Sequence, residues 1–591
     1  MVRLNLLGFL VLSLRAILDA SSASAQSNVV LPPLVPAVHS FQPASHGSFQ
    51  LSGSLSILVD ENFASATVDS GLTLIPPPLE SFAQTFAADL QEIFPRLSTK
   101  VSIVNEATLK KSSDFVFLTI SPQSNYTLAS GQSTTEGYEM DVSSTGVRII
   151  GGGAKGAFWG TRTLLQGFAL SRGQFPNGVV RDQPDWQTRG IMLEQVSIGA
   201  DEYDADLADD YNDFVNTMSD FIQQEANKTI RIWSTSEPSN TTSVSKAIIK
   251  QHWEFFEGDP YELIRAGYNV INSEDSIHYI VMKQPQPDSY PQRLNQSRLW
   301  DGANVNTGGI WDPHIFDRGN ASNNPNIAEP RLKGSIIAHQ AVWNDHGPNA
   351  STPLEAFYAF KKGLPVIAAA NWQAASRPNH LTHAQFLLAY PTLEATAPGQ
   401  NLDRRVQSKG DVVIKYQVPE RLPGKSAVPD LSGNGYDASF ENGILRTPLG
   451  SKGHDYTLMI SASSVQTSGT LLAGPDSAFG FTESANGPTL AFTSSNIVYP
   501  LFNYTLPTVS VSSSREIILS GTENRTSAWV DGCYVGDFLI GIDGTTTYEP
   551  MAFVAPIEQI GGQDSGVETF TLWNGLQDVS QITESNTKAC T

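Results

Sequence analysis

Two adjacent carboxylates, Asp201 and Glu202, lie in the stretch Ser197-Ile198-Gly199-Ala200-Asp201-Glu202-Tyr203. Paired acids are residue types suited to proton transfer, and a strand ending at Ile198 would put both at its C-terminal mouth, where βα proteins place reactive groups. Acids ahead of a helix equally serve its N-terminal dipole and its capping, so the pair alone leaves both readings open. A helix does follow. Leu207, Tyr211, Phe214, Met218 and Phe221 recur at steps of four, three, four and three, a single apolar stripe expected to pack on a barrel or sheet.

The elements that must position this pair belong to a segment of strand-like runs separated by helices or long loops, the pattern of parallel βα units. Expected strands are Gly190–Leu193, Thr229–Trp233, Ala247–Trp253, the run Val270–Val281, and Ile336–Trp343. Before it, short strands such as Leu55–Val59, Phe115–Ile120, Tyr138–Val142 and Val147–Ile150 alternate with two helices. One carries Phe82, Phe86, Leu90 and Ile93 on one face; the other carries Phe158, Leu165 and Phe168 and follows Gly151-Gly152-Gly153. Those glycines are read as a tight turn, since no Gly-Lys-Ser/Thr follows to make a phosphate cradle. After about Gln407 the helical period disappears and short alternating runs predict an all-β sandwich. The domain plan is thus a leader over 1–25, an α+β domain over 26–180, a β/α barrel over 181–405 and a sandwich over 406–591, an α/β chain with an all-β end.

The N-terminus, with one basic residue, a short apolar run and small residues from Ala20 to Ala25, predicts a signal peptide cleaved near Ala25 and a secreted protein with no later membrane span. Eight Asn-x-Ser/Thr sequons, at Asn125, Asn227, Asn240, Asn295, Asn320, Asn349, Asn503 and Asn524, fit exposure to the glycosylation machinery. The two cysteines, Cys533 and Cys590, either staple the last domain in an oxidising compartment or remain thiols. A formal charge of −22 argues against nucleic acid and anionic membranes as partners.

Further residues set the acidic pair in an order. Gly156-Ala157-Phe158-Trp159-Gly160 and Thr163-Leu164-Leu165-Gln166 come first. Asp182-Gln183-Pro184-Asp185-Trp186 runs to Arg189-Gly190-Ile191-Met192-Leu193, and then come Asp201-Glu202, Ile232-Trp233, Gln251-His252-Trp253, Tyr279 and Trp343-Asn344-Asp345. This series over residues 29–397 resembles glycoside hydrolase family 20, the β-N-acetylhexosaminidases. The resemblance implies a small α+β domain ahead of a TIM barrel and a retaining mechanism in which the substrate's 2-acetamido oxygen is the nucleophile. It makes Glu202 the general acid and Asp201 the group that orients the acetamide and stabilises the cyclic intermediate. Tyr279 becomes the donor to the acetamide oxygen. Trp233, Trp253 and Trp343 become the aromatic walls of the sugar site, and Arg189 and Asp345 the groups holding ring hydroxyls. It implies β-linked N-acetylglucosamine or N-acetylgalactosamine glycans, chitin oligomers among them, as substrates, and no metal or organic cofactor. Asp430-Leu431-Ser432-Gly433-Asn434-Gly435 and Trp529-Val530-Asp531-Gly532 resemble the turns of concanavalin A-like (laminin G-like) jelly rolls.

The series also departs from the family. Asp201 follows Arg189 by twelve positions, where three βα units are needed and each takes about 30 residues or more. Ser197 stands where members of the family usually carry His, and Val281 replaces a polar residue. The abrupt join at Leu193-Glu194-Gln195-Val196 points to an excised segment, from an erroneous gene model or splicing, with a degenerate protein as the other reading. A non-catalytic carbohydrate-binding protein is the rival function. A protease or lipase is disfavoured, because there is neither a Gly-x-Ser-x-Gly elbow nor a His-Glu-x-x-His motif.

Overall fold

The structure is a computed structural model that describes residues 30–67, 77–111, 113–193, 205–233, 241–253, 259–283, 292–302, 309–311, 331–340, 350–373, 380–399, 401–419, 426–462, 469–507, 515–542, 546–562 and 566–583. The leader, the cleavage site near Ala25 and the join at Glu194 lie outside the described residues. The chain divides into two compact units, the first formed by residues 1–127, 133–183 and 377–397, the second by 128–132, 184–376 and 398–591.

The first unit is a seven-stranded mixed sheet with helices on it. Its strands are β1 (Ser40–Gln50), β2 (Ser54–Asp60), β3 (Ser98–Val104), β4 (Phe115–Ile120), β5 (Tyr138–Val142), β6 (Gly146–Gly151) and β7 (Gln174–Asp182). Their order is β1-β7-β5-β6-β4-β2-β3. All six residues of β4 are buried, as suits a strand central to the sheet. Helix α1 (Leu79–Ile93) buries Leu79, Ala83, Phe86, Ala87 and Leu90, so the apolar stripe faces inward with Phe82 and Ile93 at its half-buried margins. Helix α2 (Ala154–Leu170) starts after the triple glycine, where the reason for glycine is close approach. A Cβ on Gly151 would collide with the backbone of Gly153 and Ala157, and one on Gly156 with the carbonyl of Gly137.

Polar side chains tie this unit across long sequence distances. Asp182 accepts from the His39 ring (2.8 Å), from the Tyr138 hydroxyl (3.2 Å) and from the backbone N–H groups of His39 and Gln183. Tyr138 also lies 2.5 Å from the Thr163 hydroxyl. The Gln166 amide closes a two-way bond with the backbone of Val35, at 2.9 and 2.7 Å. The Trp159 indole donates to Glu136 at 3.0 Å. The helix 383–396, expected within the barrel segment, falls in this unit and packs on α2.

The second unit contains a parallel sheet and an antiparallel sandwich. The parallel strands are β8 (Thr188–Leu193), β9 (Arg231–Trp233), β10 (Ile249–His252), β11 (Asn269–Asn272), β12 (Tyr279–Val281) and β13 (Leu332–Gln340). Their order is β8-β13-β11-β10-β9, with β12 also on β13, beyond the end of β11. The run Val270–Val281, expected as one strand, is therefore two. Asn272 to His278 are polar apart from Ile277, and they break the ladder into a turn and a short helix at 275–278. Helix α3 (Ala205–Ala226) forms where the period requires, but its stripe does not pack as expected. Asn212, Val215 and Ser219 are buried, while Tyr211 (40%), Phe214 (65%), Met218 (36%) and Phe221 (58%) stay exposed. Helix α4 (Pro353–Lys361) and helix α5 (Leu364–Trp372) follow, and α5 lies against β8 and β13.

The sandwich pairs a six-stranded with an eight-stranded antiparallel sheet over one apolar core. Tyr416, Tyr456, Ile460, Leu519 and Phe570 enter it from the smaller sheet, and Leu445, Leu472, Phe479 and Phe492 from the larger. Asp531 and Gly532 both take positive φ, at 52° and 81°, the conformation of a two-residue hairpin turn whose twist matches its strands. Cys533, which begins the next strand, is disulfide-bonded; Cys590 lies outside the described residues.

Within this unit, Glu355 of α4 joins the sandwich to the segment after β12. Its carboxylate accepts from Lys283 Nζ at 2.8 Å, from the Thr352 N–H at 2.8 Å and from the Ala552 N–H at 3.0 Å. Nearby, His454 is half-buried between the rings of Tyr358 and Tyr456, with centroids 5.6 and 6.1 Å away. Neither of its ring nitrogens has a hydrogen-bond partner among the described residues. Burial, with the charges of Lys452 and Arg293, lowers its pKa to about 3.

Two outcomes follow for stability. Asp182→Ala strips the partners from a buried tyrosine, a histidine and two N–H groups and is expected to cost roughly 3 kcal/mol, measured as a lowered urea midpoint of the first unit. For His454 the folded pKa lies below the unfolded value near 6.5. The unfolded chain therefore binds the extra proton as pH falls, and stability is full above about pH 6.5 and declines toward pH 3. Between pH 7 and pH 5 this one histidine accounts for about 2 kcal/mol. A His454→Phe chain should lose that much less over the same interval, and identical losses in the two chains would contradict the assignment.

Candidate functional site

The C-terminal ends of parallel strands are where loops and helix N-termini converge, so reactive side chains in such sheets are sought there. Trp233 is the last residue of β9 and Trp253 follows the last residue of β10; these two strands are neighbours in register, Trp233 opposite Gln251. Their indoles meet edge to face, with centroids 6.1 Å apart and planes at 70°. Both are half-buried and pack against Val281, the fully buried end of β12. Side chains from three strands thus build one apolar wall. The valine that departs from the expected polar residue is its floor.

Beside this wall lies a polar cluster of which sequence reasoning picks out only Gln251 and His252. Gln251, His252, Asn272, Ser273, Glu274 and His278 are each at most 1% exposed. Gln251 Nε2 donates to Ser273 Oγ at 2.9 Å, and the Ser273 N–H donates to the His252 carbonyl at 2.8 Å. Asn272 Nδ2 donates to the Ile310 carbonyl at 2.9 Å, and its Oδ1 accepts from the Glu274 N–H at 3.2 Å. Burial lowers the His278 pKa to about 3, against a weaker opposing hydrogen bond to the Glu274 backbone, so this imidazole is neutral at any physiological pH. The signal was present in the sequence. Asn272-Ser273-Glu274-Asp275-Ser276 is a polar run within an apolar one, and polar residues without exposure mark built structure.

The remaining expected site residues fall elsewhere. Tyr279 opens β12, its backbone opposite Ala338 of β13, which also faces Met192 of β8 on the other edge. Arg189 is the second residue of β8, far from that strand's C-terminal end. Its guanidinium donates to the carbonyls of Trp186 and Gln187 and lies 5.4 Å from the Trp372 ring. No described contact joins it to Trp233 or Trp253. Asp201, Glu202, Trp343 and Asp345 lie outside the described residues, as does the side chain of Tyr279. Among the described residues no group of His, Cys, Asp and Glu has the arrangement to hold a metal ion, and no helix is long and apolar enough to cross a membrane.

Residues 31–183 match the sequence model described as glycosyl hydrolase family 20, domain 2. No curated protein matches the chain. Among solved structures, the chain is similar to a β-N-acetylhexosaminidase from Bacteroides fragilis, with 11% identity and a TM-score of 0.39 over 61% of this chain and 94% of that one. It is similar at 13% identity and a TM-score of 0.37 to a family 20 β-N-acetylhexosaminidase from Streptomyces coelicolor, over 63% of this chain and 97% of that one. The same identity, TM-score and share of this chain hold for a Streptomyces plicatus β-hexosaminidase variant in complex with the product GlcNAc, there over 98% of that chain.

The polar cluster should be needed for the wall beside it. Asn272→Ala removes the donor to the Ile310 carbonyl and the acceptor of the Glu274 N–H, and is expected to cost about 2 kcal/mol. Trp233 and Trp253 fluorescence should shift to the red in the same variant, and an unchanged spectrum at a lowered midpoint would separate the cluster from the wall.

Proposed function

We propose that this protein, whose residues 31–183 match the glycosyl hydrolase family 20 domain 2 model, is a glycoside hydrolase that removes terminal non-reducing β-linked N-acetylhexosamine. The observation that carries the reading is that match, followed in the same chain by the aromatic wall at the C-terminal ends of β9, β10 and β12. A sugar ring presents apolar C–H faces, and a flat indole covers them while its edge leaves the hydroxyls to polar neighbours. Trp233 and Trp253 supply such surfaces, with Trp343 as a third. Asp345 would hold ring hydroxyls, while Arg189, whose guanidinium is engaged by the carbonyls of Trp186 and Gln187, is not assigned to them.

In the proposed chemistry the substrate's acetamide oxygen attacks its own anomeric carbon as the glycosidic bond breaks. Glu202 gives its proton to the departing oxygen, so the leaving group departs neutral, and Asp201 accepts the acetamide N–H and balances the positive charge of the cyclic intermediate. Tyr279 donates to the acetamide oxygen and fixes its direction of attack. Glu202, now ionised, then takes a proton from water, whose oxygen opens the intermediate from the face the leaving group vacated. The anomeric configuration is retained. The exposed sequon asparagines Asn125, Asn227, Asn295, Asn503 and Asn524 support a secreted glycoprotein.

Release of nitrophenol from an aryl N-acetyl-β-glucosaminide tests the reading. Glu202→Gln should lower kcat by about 10²–10⁴, and an aryl β-glucoside, which lacks the acetamide, should not be cleaved. Activity on the glucoside, or turnover unaffected by Glu202→Gln, would leave the carbohydrate-binding alternative standing.

A further inference from the structure

The parallel sheet has the order of a closed barrel from which consecutive strands have been removed. β8, its first strand in sequence, pairs in parallel with β13, its last, over six residues from Thr188–Gly334 to Leu193–His339. From β13 the order descends through β11 and β10 to β9, so the second strand in sequence lies at the far edge from the first. First strand against last is the pairing that closes a β/α barrel, whereas an open parallel sheet has no reason to put them together. Sequential strands of parallel sheets are ordinarily neighbours, and β8 and β9 are instead the two outermost. β11 and β12 share one edge of β13, so the described residues fill five strand positions. An eight-stranded barrel has three more, and among the described residues the outer strands, where they would fit, are β8 and β9.

A second observation falls at the same interval. Helix α3 is the element that leads into β9, and it carries two faces. The face toward the rest of the unit is held by polar contacts. Asn212 donates to Thr242 and Asn216 to the Ser243 carbonyl, and Asp209 accepts from Thr242. The apolar face, with Phe214 and Phe221 more than half exposed, is turned away from that contact. A helix that directs Asn and Ser inward and Phe outward is missing a neighbour on its apolar side.

The geometry points to one occupant for both. We infer that the native product of this gene carries three further βα units between Leu193 and Ala205, which fill the strand positions between β8 and β9 and cover the α3 stripe. Eleven residues now separate those two positions. Three units require on the order of 90 residues. The inference depends on the sheet order and not on the proposed activity.

Reading the native transcripts across the codons for Leu193 to Ala205, together with peptide mass mapping of the protein from its natural source, tests this. An in-frame insert of roughly 90 codons or more, and no peptide that runs directly from Leu193 to Ala205, is the expected result. Transcripts and peptides that all run through the join would overturn it. A variant pair gives a second readout. Phe214→Glu with Phe221→Glu should lower the Tm of the insert-bearing protein by several degrees, and in the 591-residue chain should leave Tm unchanged while reducing binding of an apolar dye. If the 591-residue chain is a dimer that this double variant dissociates, a second copy covers the stripe and the inference fails. None of these readouts involves substrate. Loss of the hexosaminidase reading alone would appear as an insert-bearing protein that is folded and inactive on the aryl glycoside.

Discussion

The pairing of β8 on β13 is the constraint from which the second unit's arrangement derives. A parallel strand satisfies its backbone only through neighbours on both edges, and its side chains are buried only when helices cover the outer face. β13 meets this condition fully, with β8 on one edge and β11 and β12 in succession on the other. It is nine residues long, while β9 and β12 have three. The wall built by Trp233, Trp253 and Val281 rests on the short ladders of β9, β10 and β12.

Buried carboxylates fix the loops in both units by the same means. Asp182 in the first unit and Glu355 in the second each collect donors from segments remote in sequence, and each carboxylate is more than 90% buried. An ionised carboxyl is tolerated inside only when several donors replace its water, and removing one donor leaves a charge without solvent. These groups therefore act as fasteners whose loss is not local. The residues of the Gly156–Gly160 and Thr163–Gln166 motifs work similarly. Trp159, Thr163 and Gln166 bond Glu136, Tyr138 and Val35, so that stretch of sequence encodes the packing of helix α2 on its sheet and not a binding site.

What was legible in the sequence was whatever depends on local period or on local chemistry. The stripe Phe86–Leu90 gives α1 its buried face, and Asp531-Gly532 gives the hairpin before Cys533. The position of a strand in a sheet is not local. Nothing in Arg189-Gly190-Ile191-Met192-Leu193 says that its partner lies some 140 residues later, and only the coordinates pair it with Gly334–His339. The run Val270–Val281 misled because apolar residues at both ends hid a polar turn whose burial depends on distant carbonyls such as that of Ile310. The α3 stripe misled in the opposite sense. Its period was correct, but a period tells only that a face is apolar, not that the chain still contains the surface that face was made for. Of the candidate site, the two indoles could be anticipated and their meeting at Val281 could not.

Closure of the sheet and the chemistry proposed for the pocket are linked by solvent. A carboxylic acid that donates a proton near neutral pH needs a pKa raised by an apolar, water-poor setting, and a cyclic cationic intermediate survives only if water reaches it after the leaving group has gone. Both demands fall on the walls. Trp233 ends the outermost described strand on its side, with Trp253 and Val281 packed against it. An open sheet edge beside the wall would admit water from the side. With the edge paired, the same indoles would line an enclosed pocket. For the proposed chemistry, the strand order therefore bears on the solvent around the pocket as well as on the stability of the fold.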